Sequence, residues 1–200
     1  MLALRVKIPQ VHAYNLSEIA ALLWAMAKAG WTQSPDIFAL GGDLASRKLE
    51  AEGKPSTVAM LVWAYGKSNV RHNGLFAKLN AHDIACRIVR GLTTQELSNM
   101  AWASAKLGYQ NEELLKAVSK EATHKVGGFA LNELSNLIWA FAQASYIDEK
   151  LFKAVAQEAL PRLSEFSPQQ QYNLLWGFLL AYTRDVGVYH CGCGRVLVRI

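Results

Sequence analysis

Polar and apolar positions along this 200-residue chain recur with a fixed period. "ELSNMAWASAKLGY", from Glu96 to Tyr109, returns as "ELSNLIWAFAQASY", from Glu133 to Tyr146, 37 positions later. With Trp as the anchor, five copies align. Trp24, Trp63, Trp102, Trp139 and Trp176 are separated by 39, 39, 37 and 37 residues. A small residue follows each: Ala25, Ala64, Ala103, Ala140 and Gly177. Two places before each stands an aliphatic or Met: Leu22, Leu61, Met100, Leu137 and Leu174. Five before stand Ile19, Val58, Leu97 and Leu134, with Gln171 in the fifth copy. Self-similarity at such a period is the signature of a repeat array.

Each unit reads as two helices. The first opens on cap-forming signals ("NLSE", "PSTV", "LTTQE", "LNE") and runs apolar through its Trp. It ends near Gly30, Asn69, Gly108 or Ser145, residue types that suit a helix stop. The second helix follows a short turn: "PDIFALGGDLA", "NGLFAKLNAHDIACRIV", "NEELLKAVSKEA" and "DEKLFKAVAQEAL". Gly41-Gly42 is expected to weaken the first of these. Such hairpins bury both faces only by stacking on their neighbours. The fold expected is all-α: an α-solenoid of about five helix–turn–helix repeats of 37–39 residues, with the C-terminal repeat incomplete. Residues 1–14 read as an N-terminal extension or partial helix, 15–183 as the repeat domain, and 184–200 as an irregular tail.

A helical wheel at about 100° per residue sorts the first helix of each unit. With Trp at 0°, positions −5, −2, −1 and +2 form the apolar face. Positions −7, −3 and +4 fall in one narrow stripe beside the Trp. Position −7 holds Ser17, Ser56, Gln95, Asn132 and Gln169; position −3 holds Ala21, Met60, Asn99, Asn136 and Asn173. Position +4 holds Lys28, Lys67, Lys106, Gln143 and Leu180. Asn and Gln amides can pair donor and acceptor with a base edge, and Lys can neutralise a phosphate. One helix per repeat presenting such residues is how modular readers of single-stranded RNA work. The same residues also suit a plain solvated face. The Trp rings, flanked by alanines, are expected to pack between adjacent repeats. Trp31, Tyr109 and Tyr146, at +7, are the better candidates for contact with a ligand.

Charge adds little. The formal net charge is +5, but residues 1–14 and 184–200 each contribute +2, leaving 16 basic and 15 acidic residues in the body. No apolar run reaches the ~20 residues of a membrane span. The acid-free "MLALRVKIPQVHAYN" is compatible with the end of an organelle transit peptide, though too short to define one. Three cysteines build no disulfide framework, and Cys86 reads as a buried small apolar residue. "HCGCG" at His190–Gly194 lacks the second ligand cluster that a zinc site needs. "FALGGDLA" lacks the Lys-Ser/Thr of a phosphate loop, and the chain has neither a His-Glu-x-x-His nor a nucleophile elbow. No enzyme, metal or cofactor is expected.

Leu97-Ser98-Asn99, Trp102-Ala103 and Lys106-Leu107-Gly108, with Leu134-Ser135-Asn136 and Trp139-Ala140-Phe141-Ala142, carry a resemblance. They are similar to the helical repeats of FAST-kinase-like and RAP-associated organelle RNA proteins and to octotricopeptide repeats. They also resemble the repeat subunits of the kinetoplastid mitochondrial RNA-editing substrate-binding complex. The likeness runs loosely from residue 15 to about 182. The second unit departs from it, with Met60 in place of Asn and Asn69-Val70 in place of Gly-aromatic. The resemblance implies an α-solenoid of the mitochondrial matrix, or alternatively the chloroplast stroma, acting in RNA processing, stability or ribonucleoprotein assembly. Single-stranded RNA is the partner expected, beside protein partners of a ribonucleoprotein complex, with no membrane and no DNA. Candidate RNA-binding residues are Lys28, Lys67, Lys106, Gln95, Asn99, Asn132, Asn136, Gln169 and Asn173. The alternative is a protein–protein scaffold using the concave solenoid surface.

Overall fold

The structure, a computed structural model, describes residues 13–31 and 35–185. The expectations for residues 1–12, the HCGCG motif and most of the tail lie outside this range. Among the described residues there are ten α-helices and no strand. The first helices of the five units are α1 (Leu16–Lys28), α3 (Pro55–Ser68), α6 (Thr94–Lys106), α8 (Leu131–Gln143) and α10 (Pro168–Asp185). The second helices are α2 (Pro35–Glu52), the pair α4 (Asn73–Leu79) and α5 (His82–Val89), α7 (Glu112–His124) and α9 (Glu149–Ala159). Each first helix packs beside the next: α1 on α3, α3 on α6, α6 on α8, α8 on α10. A second row runs alongside, with α2 on α4, α5 on α7 and α7 on α9. This is the expected α-solenoid. None of the helices is long and apolar enough to cross a membrane.

The wheel accounts for the burial. Ile19, Val58, Leu97 and Leu134 at −5 are fully buried, as are Leu61, Met100 and Leu137 at −2. Gln171, at −5 in the fifth unit, instead donates through Nε2 to the carbonyls of Leu163 and Phe166, at 3.0 and 3.2 Å. It ties α10 to the 3₁₀ turn Leu160–Glu165.

Between neighbouring first helices the contact depends on small residues. A Cβ on Gly66 (+3) would sit 2.6 Å from the Ala103 Cβ (+1 of the next unit). One on Gly177 (+1) would meet Ile138 (−1 of the preceding unit) at 2.5 Å. The seam therefore joins positions −1 and +3 of one helix to position +1 of the next. At that spacing side-chain volume keeps the helices apart, so Ala and Gly set how closely the repeats stack.

Helix ends repeat as regularly as helix faces. Asn15 with Glu18 and Thr93 with Glu96 form reciprocal capping boxes. Ala130 cannot accept a bond through its side chain, but Glu133 still takes its backbone N–H at 3.0 Å. At the other end Gly30, Asn69, Gly108 and Ser145 all adopt left-handed backbone, with φ of 71°, 55°, 70° and 60°. The following N–H in each case, that of Trp31, Val70, Tyr109 or Tyr146, reaches back to the carbonyl of Met26, Tyr65, Ser104 or Phe141. This is a Schellman motif, whose final position carries a hydrophobic contact.

That motif corrects one expectation. Tyr109 and Tyr146 sit at +7 to close the helix end: Tyr109 stacks on Phe76 with centroids 4.3 Å apart, and Tyr146 meets Phe141 edge-on. Only Trp31 is left largely exposed. Helix α2 runs unbroken through Gly41 and Gly42. Both are buried against Leu23 and the His72 ring, which approach so closely that a Cβ at either position would collide with them. The second unit's second helix, expected as one, breaks at Asn80–Ala81. The Asn80 Oδ1 accepts the Leu114 N–H at 3.3 Å and so caps the first turn of α7. Cys86 is half-buried, with its Sγ 3.8 Å from His82 Nε2.

Candidate nucleic-acid interface

In α3, α6 and α8, with the second row on one side and neighbouring first helices on two others, the face carrying Trp and the stripe is left to solvent, and the same face is open in α1 and α10. Ser17, Ser56, Gln95, Asn132 and Gln169 are exposed there, as are Lys28, Lys67, Lys106 and Gln143. Asn99, Asn136, Asn173 and Leu180 are half-buried beside them, while Ala21 and Met60 are exposed.

The five anchor tryptophans are half-buried in a row. Trp24 and Trp63 have ring centroids 6.3 Å apart, tilted by 43°; Trp139 and Trp176 lie 6.4 Å apart, tilted by 31°. Packing between adjacent repeats is therefore their role, as the flanking alanines suggested. The outer ring surface is nonetheless in use. Lys28 Nζ stands 4.6 Å from the Trp24 centroid and Lys106 Nζ 4.8 Å from that of Trp102, both in cation–π contact. The i, i+4 spacing puts each ammonium over the indole of its own helix.

Helices α1, α3 and α6 enclose one depression of about 450 Å³, lined by Trp24, Lys28, Ser56, Ala59, Met60, Trp63, Gln95, Asn99 and one acid, Glu96, whose carboxylate accepts from the Thr93 N–H. Five residues of the stripe, Lys28, Ser56, Met60, Gln95 and Asn99, thus meet in one place. Lys67 is close enough to Lys106 to depress its pKa, although burial of the Lys106 ammonium contributes more. At the far end Gln169 Nε2 donates to Asn173 Oδ1 at 3.0 Å, along one turn of α10. The stripe thus has a cationic part, on the first three units, and an amide part, on the last three.

Ion pairing follows the layers. Lys48–Glu52, Lys78–Glu50, His82–Glu113, Lys125–Glu121 and Arg162–Glu158 all lie in the second row. Lys28, Lys67 and Lys106 join no ion pair among the described residues. The first-helix carboxylates, Glu18, Glu96 and Glu133, are engaged by backbone N–H groups at the opposite end of their helices. A second hollow, of about 360 Å³ between α7 and the turn after α8, is lined by Glu112 and no cation. Sequence reasoning missed Met60 as a wall of the depression and Arg71, which lies over the Tyr109 ring at 4.9 Å. The exposure of Met60 follows from its −3 position; nothing in the periodicity flags Arg71.

Over residues 36–188 the chain matches the family described as RNA-editing substrate-binding complex 6 protein. The chain belongs to that family. This is one of the groups its repeats resemble, and neither the FAST-kinase-like nor the octotricopeptide assignment is supported by the match. No curated protein matches the chain.

Proposed function

We propose that the chain binds single-stranded RNA along the outer face of its first-helix row, as a non-catalytic subunit of a mitochondrial RNA-editing assembly. One observation carries this reading. Two lysines, Lys28 and Lys106, rest on indoles of the Trp row with Lys67 near Lys106, and none of the three joins an ion pair among the described residues, while the ion pairs of the second row neutralise charge elsewhere. An ammonium outside any ion pair is available to a phosphate, and the neighbouring Asn and Gln amides are available to base edges. The family's description, which speaks of substrate binding in RNA editing, supports both an RNA partner and protein partners. Gln95, Asn99, Asn132, Asn136, Gln169 and Asn173 take the amide role, and no cofactor, membrane or DNA enters the reading.

A scaffold role is the competing reading, favoured by the near-neutral body of the chain. A salt titration of binding to single-stranded RNA, between about 50 and 200 mM, separates the two. RNA binding predicts saturable association whose log–log slope falls by about 2 in Lys28/Lys67/Lys106→Gln, at roughly 0.7 for each phosphate no longer neutralised. Absence of binding by the native chain at the low-salt end overturns it in favour of the scaffold.

A further inference from the structure

The seam between first helices has two halves, and both are open among the described residues. In α1, α3, α6 and α8, position −1 (Leu23, Val62, Ala101, Ile138) and position +3 (Ala27, Gly66, Ala105, Ala142) are buried by the next first helix. In α10 the same positions hold Leu175 and Leu179, which are 60% and 38% exposed. Tyr172 and Tyr182, at −4 and +6, extend the strip and are 62% and 61% exposed. All four lie on one flank of one helix, an apolar surface of the kind that marks an interaction site. The complementary half is position +1. It is buried in Ala64, Ala103, Ala140 and Gly177 but exposed in Ala25 of α1.

From this we infer that a second copy of the chain docks its α1, through Ala25, onto the Leu175–Leu179 flank of α10. The occupant is chosen by continuity: what covers −1 and +3 in every other unit is a first helix presenting a small residue at +1, and α1 is a first helix with that residue uncovered. Bulk is exchanged rather than added. Positions −4, +3 and +6 are Ala or Ser, Ala or Gly, and Gly, Asn or Ser in the earlier units, against Tyr172, Leu179 and Tyr182 in α10. The facing ridge of α1 is pared to match, with Ala21 at −3 where later units carry Met60 or Asn, and Ala25 and Ala29 beyond it. Such a contact joins unlike surfaces, so copies add head to tail.

The test uses the full chain in sedimentation velocity, with two variants that each block one half of the seam. Native chain is expected to gain mass above 22.1 kDa as concentration rises. Ala25→Glu and Leu175→Glu, both at exposed positions, are each expected to remain monomeric with unchanged circular dichroism. Mixed one to one, they should form a dimer and nothing larger, because Ala25→Glu keeps an intact α10 flank and Leu175→Glu an intact α1. A native chain that is monomeric throughout overturns the inference. So does a mixture that fails to dimerise, or association blocked by Leu175→Glu alone, which would assign the flank to a different surface.

Discussion

Gly66 of α3 and Ala103 of α6 approach so closely that a single methyl on Gly66 would sit 2.6 Å from the Ala103 Cβ and 2.8 Å from its Cα. Backbone as well as side chain blocks the added carbon, so relief requires the two helices to part. Gly66→Ala is expected to destabilise by about 1–3 kcal/mol through overpacking, after a gain of up to about 1 kcal/mol in helix propensity is offset. Urea denaturation followed by circular dichroism measures it, and a midpoint at or above the native value would refute it.

The division of the stripe predicts a division of labour. Replacing Asn99, Asn136 and Asn173 by Ala should leave the salt slope of RNA binding unchanged while flattening any preference among homopolymers. Lysine replacement should lower the slope and spare the preference. Equal loss of both in either variant would contradict the division without contradicting RNA binding, which the native chain reports by itself.

Tyr109 tests the helix-end role of position +7. Its ring lies on Phe76, tilted by only 11°, and its hydroxyl donates to Asn73 Oδ1 at 3.0 Å. Tyr109→Ala should cost about 2–4 kcal/mol and Tyr109→Phe about 0.5–1.5 kcal/mol. Both are read from denaturant midpoints. If Tyr109→Ala were neutral, the stacking would not be holding the end of α6.

Ser145 is the one Schellman position held by neither Gly nor Asn, at φ 60°. A side chain costs about 1–2 kcal/mol there, part of which the extra freedom of an unfolded glycine offsets. Ser145→Gly should therefore raise stability by about 0.5–1 kcal/mol. Gly108→Ala, at φ 70°, should lower it by about 1 kcal/mol. Thermal melts of the two variants should move in opposite directions.

Acid should loosen the start of α1. Glu52 Oε2 accepts the Leu16 N–H at 2.7 Å, and this bond, helped by Lys48, holds the Glu52 carboxyl below the ordinary value of 4.5. His82 does the same for Glu113 through a hydrogen bond of 2.7 Å. Both folded-state values are depressed, so their stabilisation is present above about pH 4.5 and is lost as pH falls through the lower folded values. Glu52→Gln should flatten the acid limb of a stability–pH profile, and an unchanged limb would dismiss this contribution.

What the sequence made legible follows from what repeats. Trp at a fixed period located the first helices, and the wheel separated Leu97 and Met100, which are buried, from Gln95 and Lys106, which are not. The stop residues were visible because left-handed backbone needs Gly, Asn or a tolerated Ser. The second row was harder to read, since its details answer to other helices. Gly42 looks like a helix breaker until His72 is seen to fill its missing side chain. Asn80 ends α4 on behalf of α7, a partner 34 residues away. At the candidate interface the stripe could be read from periodicity. The lysines resting on indoles, and Lys67 acting on Lys106, depend on side-chain poses that spacing does not encode.

The spacing of the indoles has a consequence for any nucleic acid laid along them. Stacked nucleotides rise about 3.4 Å per step, whereas the ring centres of Trp24 and Trp63 stand 6.3 Å apart and those of Trp139 and Trp176 6.4 Å apart. Across either pair, a strand matching one base to one repeat would be drawn to nearly twice its natural step. Its bases could no longer touch one another, and the gap would be too narrow for a further ring to slip between them. At each end of the array the paired indoles would act as the teeth of a comb, parting two bases and presenting each singly.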